Sequence, residues 1–237
     1  MHCLYTAIVR GRPLCQAGLG PLLLTQPVSV SAAGMASFPP QRYNFFLVLD
    51  FEATCDTKPI YPQEIIEFPI LKLNGRTMEI ESTFHSYVQP VYHPQLTPFC
   101  TQLTGIIQDM VEGKPTLQHT LQMVDEWMSK EGLLNPDVHS IFVTCGDWDL
   151  KTMLPGQCQH LGLRAPDYFK QWINLKKAYS AVMRSWPKRN LTDMLEGLNL
   201  SQEGRLHSGI DDSKNIASIM KELARRGFLF RKTSPVM

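Results

Sequence analysis

The sequence predicts an α/β domain in which helices flank a mixed sheet, and three observations carry that expectation. Phe45-Phe46-Leu47-Val48-Leu49 is an unbroken apolar run, as a strand buried on both faces requires. Asn74-Gly75 stands between two strand-like segments, where a hairpin turn belongs. Apolar residues then recur at helical spacing, first as Leu117, Leu121, Val124, Trp127 and Met128 and later as Ile216, Ile219, Met220 and Leu223. Strands first, then helices alternating with strands, assemble into a mixed sheet with helices packed on it.

In chain order, the run at 45–49 is the first strand and residues 65–73 the second. A two-residue turn leads into a third over 77–88, so at least two of the three are antiparallel. Residues 90–98 form a Pro-rich loop. A helix over 116–130, a strand over 140–144, a helix over 150–161, a strand over 172–175 and a short helix over 191–198 follow. The closing helix stops at Gly227, where glycine suits the left-handed position after Arg225 and Arg226.

With 237 residues and 43% hydrophobic content, the chain can fill one core comfortably but not two. The expected domain spans 43–231, with a short C-terminal tail at 232–237. Residues 1–42 contain no acid, carry Arg10, Arg12 and Arg42, and are rich in small residues, which predicts a low-complexity, disordered tail. Its acid-free composition suits a mitochondrial transit peptide, but it lacks an amphipathic helical pattern, so the tail is the preferred reading. The apolar residues 19–24, interrupted by Pro21, fall far short of the roughly 18 needed to cross a bilayer. A net charge of +1 excludes an overall basic field, so any affinity for nucleic acid has to come from a local patch or from metal ions. Six cysteines without a C-x-x-C pair argue against a zinc site or a disulfide framework, and the expected compartment is cytoplasmic or nuclear.

Side chains alternate along a strand, so Asp50 and Glu52 project from one face at the end of the first strand. Two buried anions need a cation, and hard oxygen donors favour magnesium or manganese, although D-x-E alone is more often a solvated strand end. Asp212 lies four, seven and eleven residues before Ile216, Ile219 and Leu223, on the buried face of the last helix. Asp211 aligns instead with Asn215, Ser218 and Glu222 on the polar face. His207, in Leu206-His207-Ser208-Gly209, is able to reach the same acids and titrates in the range of a general base. In Gly146-Asp147-Trp148-Asp149, Asp149 shares a helical face with Met153 and points inward, with Asp147 as the alternative. Lys176, Lys177, Arg184, Lys188 and Arg189, interleaved with Tyr179 and Trp186, suit a single-strand track, though a solvated helix face is the commoner explanation.

Together, Asp50-Phe51-Glu52-Ala53-Thr54-Cys55, Trp148-Asp149 and His207-Ser208-Gly209-Ile210-Asp211-Asp212 resemble the three motifs of the DEDDh exonucleases, with histidine five positions before the last aspartate. Leu103-Thr104-Gly105-Ile106, Trp172-Ile173-Asn174 and Asp211-Asp212-Ser213-Lys214-Asn215-Ile216-Ala217 look like the enhanced-RNAi three-prime exoribonucleases, and the likeness covers about residues 43–231. The resemblance implies an RNase H-like fold with a mixed five-stranded sheet. It implies 3′–5′ exoribonuclease activity on single-stranded RNA 3′ ends, releasing nucleoside 5′-monophosphates; a nuclease that also trims DNA, or a weakly active binding module, are the alternatives. Asp50, Glu52, Asp149 and Asp212 would hold two Mg²⁺ ions, or Mn²⁺, about 3.5 to 4 Å apart. Glu52 and His207 would be catalytic, with His207 accepting a proton from water. Phe51, Glu52, Ala53, Leu103, Thr104, Gly105, Ile106 and His207 would contact the terminal nucleotide, and Trp148 would either wall the pocket or pack as core. Implied partners are RNA 3′ ends and prion protein, with no membrane. Some relatives carry an N-terminal nucleic-acid-binding module; residues 1–42 are too short and unpatterned for one, so a preference for structured message ends is not expected.

Overall fold

The computed structural model describes residues 38–234. The expectations for residues 1–37 and 235–237, including Arg10, Arg12, Cys3, Cys15 and the apolar stretch at 19–24, fall outside them.

The apolar run forms β1 (Phe45–Val48), the centre of the sheet. It pairs antiparallel with β3 (Ile65–Asn74) and parallel with β5 (Ser140–Thr144), placing Phe45 opposite Asn74 on one side and Ser140 on the other. Beyond β5 lies β6 (Trp172–Asn174), also parallel, while β4 (Ile80–Tyr87) covers the other edge of β3. The sheet has six strands rather than the expected five. The extra one, β2 (Glu52–Ala53), prolongs β1 along β3, for Glu52 faces Glu67 in the register by which Phe45 faces Asn74. The first strand is therefore interrupted at residues 49–51, and Asp50 sits in the gap.

Alternation divides the core into two layers. Phe46 and Val48 pack against α5 (Leu175–Met183), α6 (Leu191–Gly197) and α7 (Gly209–Arg225). Leu47 and Leu49 pack on the opposite face against α3 (Leu117–Lys130), a π-helical turn (Asp149–Met153), α4 (Leu154–His160) and Phe169 of a 3₁₀ turn (Asp167–Lys170). Ile216, Ile219, Met220 and Leu223 are fully buried, and Gly227 adopts the left-handed conformation expected of it.

Three local features differ from expectation. The turn after Asn74 spans residues 75–79, and β4 starts at Ile80 rather than at 77. Gly75 donates its N–H to the Asn44 carbonyl (2.8 Å), and a Cβ there would lie 2.1 Å from the Tyr43 carbonyl oxygen. Glycine is thus required by close backbone approach rather than by a two-residue hairpin. Secondly, the region after the Pro-rich loop contains α1 (Pro98–Thr104) and α2 (Gln108–Val111). The signals for α1 are readable: Thr97 caps it by accepting the Cys100 N–H (3.0 Å), Pro98 opens it and left-handed Gly105 closes it. Thirdly, packing continues beyond 43–231 at both ends. Phe38 joins the core, and the Gln41 amide bridges the Phe228 carbonyl and the Phe230 N–H (3.0 Å each). Thr233 and Ser234 donate their N–H groups to the Trp172 carbonyl.

Among the described residues, Cys55, Cys100, Cys145 and Cys158 are free thiols, and no helix is long and apolar enough to cross a membrane. Gly75→Ala is expected to cost about 1–3 kcal/mol through forced backbone displacement. Gly156→Ala, a helical site where a Cβ meets nothing, should leave the midpoint of thermal unfolding unchanged or raise it. Melting curves of the two variants check the contrast.

Candidate active site

The break in the first strand starts the site. Leu49 donates its N–H to Val143 of β5, and two residues later the Phe51 N–H points the same way. There β5 has ended, and Phe51 bonds instead to the Asp149 carboxylate (3.0 Å). A side chain takes the place of the next strand carbonyl, and Asp149 is thereby drawn in beside Asp50. It lies at the start of the π-helical turn, an irregularity common at functional sites.

α7 brings the third acid and the histidine. Asp212 is buried on the inward face, as its spacing predicts. Its Oδ2 accepts the His207 N–H (2.9 Å), and His207 itself adopts a left-handed backbone at φ 60°. One ring nitrogen of His207 and one carboxylate oxygen each from Glu52 and Asp212 lie within 4.8 Å of one another. Asp211 and Asn215 restrain the same loop, Asp211 by accepting the Arg205 N–H (3.1 Å). Asn215, expected on the polar face, is fully buried and bonds both the N–H and the carbonyl of Glu203 (2.8 Å each). Three side chains from the first two turns of α7 thus hold the strand of residues that ends in His207.

Glu67 is the functional residue that sequence reasoning missed. It is buried opposite Glu52, and its carboxylate accepts the N–H groups of Gly209 (2.8 Å) and Ile210 (3.1 Å) while also bonding His85 Nε2 (2.8 Å). Ser208, at the N-cap position, makes no capping bond, so Glu67 caps α7 from a neighbouring strand. Gly209 must lack a side chain here, since a Cβ would lie 2.6 Å from the Asp50 carbonyl. A charge inside the apolar run 65–71 was the available signal, because buried glutamates are rarely unpartnered.

The electrostatic outcome is a cluster of acids that resist ionising. Burial, then repulsion from Asp149, Asp212, Glu52 and Glu67, pushes the Asp50 carboxyl well above its ordinary range. Burial and the same neighbours raise Glu52 to about 8. Burial lifts Asp149 and Asp212 to about 6 each, opposed by the N–H bonds from Phe51 and His207 respectively. Asp212 Oδ1 is buried with no hydrogen-bond partner among the described residues. Hard oxygen donors, mutual repulsion and an orphaned carboxylate oxygen together fit a divalent cation.

These groups line a cleft of about 570 Å³ shared with Phe51, Ala53, Leu103 and Trp148. Trp148 is 40% exposed and walls the cleft rather than packing as core. Of the segment 103–106, only Leu103 lines the cleft. Thr104 is buried, donating to the Cys100 carbonyl (2.9 Å) and accepting the Ile106 N–H (3.1 Å), and Ile106 packs with Ile66, Cys100 and Val111. Gly105 lies against the Arg205 guanidinium, which bonds the carbonyls of Gln102 and Leu103. Asp147, the alternative to Asp149, is held by the Trp172 indole (2.8 Å) and Lys177 (3.6 Å); burial opposes its ionisation, but these partners keep its carboxyl below the usual range. The basic segment is not one track. Tyr179 is buried, Lys177 and Arg189 are paired with acids, and Trp186 remains exposed.

Residues 47–220 match the family described as Exonuclease (RNase_T). The chain belongs to the exonucleases, in their DEDDh branch. It is 76% identical over 204 residues to human ERI1 exoribonuclease 3, covering 86% of this chain and 60% of that protein. The bovine protein of the same name is 73% identical over 212 residues, covering 90% and 63%. The chain thus spans about three fifths of the length of these curated relatives. The solved nuclease domain of 3′hExo, a DEDDh family member bound to rAMP, superposes with a TM-score of 0.79 at 40% identity, covering 84% of this chain and 100% of that one.

Two outcomes follow from the geometry. The metal-free folded protein retains protons on Glu52, Asp149 and Asp212 that the unfolded chain releases near pH 4, so their stabilisation is complete at low pH and lost as pH rises through about 6 to 8. Melting in EDTA should show a midpoint that falls between pH 5 and pH 8, and a divalent cation at pH 8 should restore it. Glu67→Ala, which leaves the Gly209 and Ile210 N–H groups without their acceptor, should lower stability by about 1–3 kcal/mol in denaturant titration and reduce exonuclease activity.

Proposed function

We propose that the chain is a metal-dependent 3′–5′ exoribonuclease that removes nucleoside 5′-monophosphates from single-stranded RNA 3′ ends. The observation that carries this reading is the convergence of Asp50, Glu52, Asp149 and Asp212 with His207 on one cleft, one carboxylate oxygen of which is buried without a partner. Relatives named exoribonucleases, and a solved relative bound to a ribonucleoside monophosphate, support RNA as the substrate.

Asp50, Glu52, Asp149 and Asp212 would hold two Mg²⁺, with Mn²⁺ as a substitute. When bound, such ions neutralise charge on the scissile phosphate and lower the pKa of water. The chain's own residues do the rest. His207, at the exposed rim beside Glu52 and Asp212, accepts the proton of the attacking water. Phe51, Ala53 and Leu103 form the apolar floor for the terminal nucleoside, and Trp148 offers an aromatic wall. We propose prion protein, implied by the family resemblance, as a binding partner, to be tested by co-purification. The proposed compartment is the cytosol or the nucleus.

Incubation with 5′-labelled single-stranded RNA and matched DNA, with and without Mg²⁺, tests the reading. A metal-dependent ladder on RNA is expected, falling at least 10²-fold in Asp50→Ala by loss of a metal-holding carboxylate. Equal trimming of DNA would make the protein a general exonuclease, and no trimming of either would leave a binding module. Asp149→Asn should abolish the ladder and Asp147→Asn should weaken it only through stability; the reverse pattern would exchange their roles.

A further inference from the structure

The cleft contains a cation that neither the acids nor the histidine accounts for. Lys176 lines it next to Gly146, its Nζ 3.5 Å from where a Cβ of that glycine would stand. Two basic side chains other than His207 line this cleft, and they differ in one respect. Arg189 is committed to Asp193 (2.7 Å) and Glu196 (2.6 Å). Lys176 has no ion-pair or hydrogen-bond partner for its ammonium among the described residues, although five acids, Asp50, Glu52, Asp147, Asp149 and Asp212, line the same cleft.

Its position is locally unfavourable. Lys176 and Lys177 occupy the first turn of α5, which contains no acid, and a cation there opposes the positive end of the helix dipole. Asp147, at 3.6 Å, compensates Lys177. For Lys176 the nearby charge is Asp149, whose carboxyl it helps to keep ionised against burial. Charge balance gives it a second use, resting on the proposed activity. Four ionised carboxylates and two divalent cations cancel, so an arriving phosphodiester adds a negative charge that the site must still meet. An ammonium on a flexible stem, free of other partners, meets that need.

We propose that Lys176 binds the phosphate group at the cleavage site, both in the substrate strand and in the nucleoside 5′-monophosphate product. Calorimetric titration of the full chain in Mg²⁺ with adenosine 5′-monophosphate and with adenosine tests this directly. The wild-type protein is expected to bind the monophosphate more tightly than the nucleoside. Lys176→Gln should weaken the monophosphate by roughly tenfold, the loss of one charge-assisted hydrogen bond, and leave adenosine unchanged. Lys176→Arg should retain most of the difference. The proposal is overturned if the Gln variant loses both ligands equally, as a purely structural counter-ion to Asp149 would, if it loses neither, or if the wild type does not distinguish the two. Failure of the underlying activity shows elsewhere, as absence of trimming by the wild-type protein. Normal trimming with unaltered monophosphate binding in Lys176→Gln removes Lys176 alone.

Discussion

Backbone amides hold three acids of this site, Asp149, Asp212 and Glu67, in place against their mutual repulsion. Asp149 is tied by Phe51, Asp212 by His207, and Glu67 by Gly209 and Ile210. Each bond pairs a buried carboxylate with an N–H that regular secondary structure leaves unused, at a strand break, in a left-handed loop or at a helix start. Without such donors the carboxylates would have to protonate or move to solvent. The same bonds also set the relative placement of the first strand, the π-helical turn and α7. Architecture and site are therefore stabilised by the same contacts.

That arrangement explains several departures from regularity. The first strand is broken because its next ladder bond goes to Asp149; Glu52 resumes the register of β1 along β3, and the register shifts at Ala53. α7 lacks a side-chain cap at Ser208 because Glu67 supplies one from the sheet. Gly209 is small because α7 starts directly on the Asp50 backbone. These are positions where local preference gives way to the placement of charge, as functional sites often show.

The electrostatic state of the cleft is incomplete by design. Carboxyls displaced toward neutral pH and one unpartnered oxygen describe a site organised for a cation it does not itself supply. Backbone N–H groups bond Asp149 Oδ1 and Asp212 Oδ2, and Asp212 Oδ1 is left without a partner among the described residues. Of the groups lining the cleft, His207 is exposed and Lys176 and Asp50 half-buried, while Glu52, Asp149 and Asp212 are buried.

Much of this was legible in the chain itself. Periodicity is a local property, so the strand and helix order, the inward face of Asp212 and the joint placement of Asp50 and Glu52 could be read directly. Thr97-Pro98 and Gly105 also mark the two ends of α1, within a segment whose prolines otherwise read as loop. Partnership is not local. Phe51 and Asp149 are 98 residues apart, and Glu67 and Gly209 are 142 apart, so no spacing rule could show that one carboxylate replaces a strand carbonyl or that the other caps a helix. The choice of Asp149 over Asp147 rested on a face argument, while the indole of Trp172 decided where Asp147 went. Thr104 and Ile106 are buried away from the cleft, and within the basic segment Lys177 and Arg189 pair with acids while Lys176 does not. Local periodicity assigns the charges to their faces; which charges meet depends on the fold, because only folding brings distant amides and carboxylates within hydrogen-bond range.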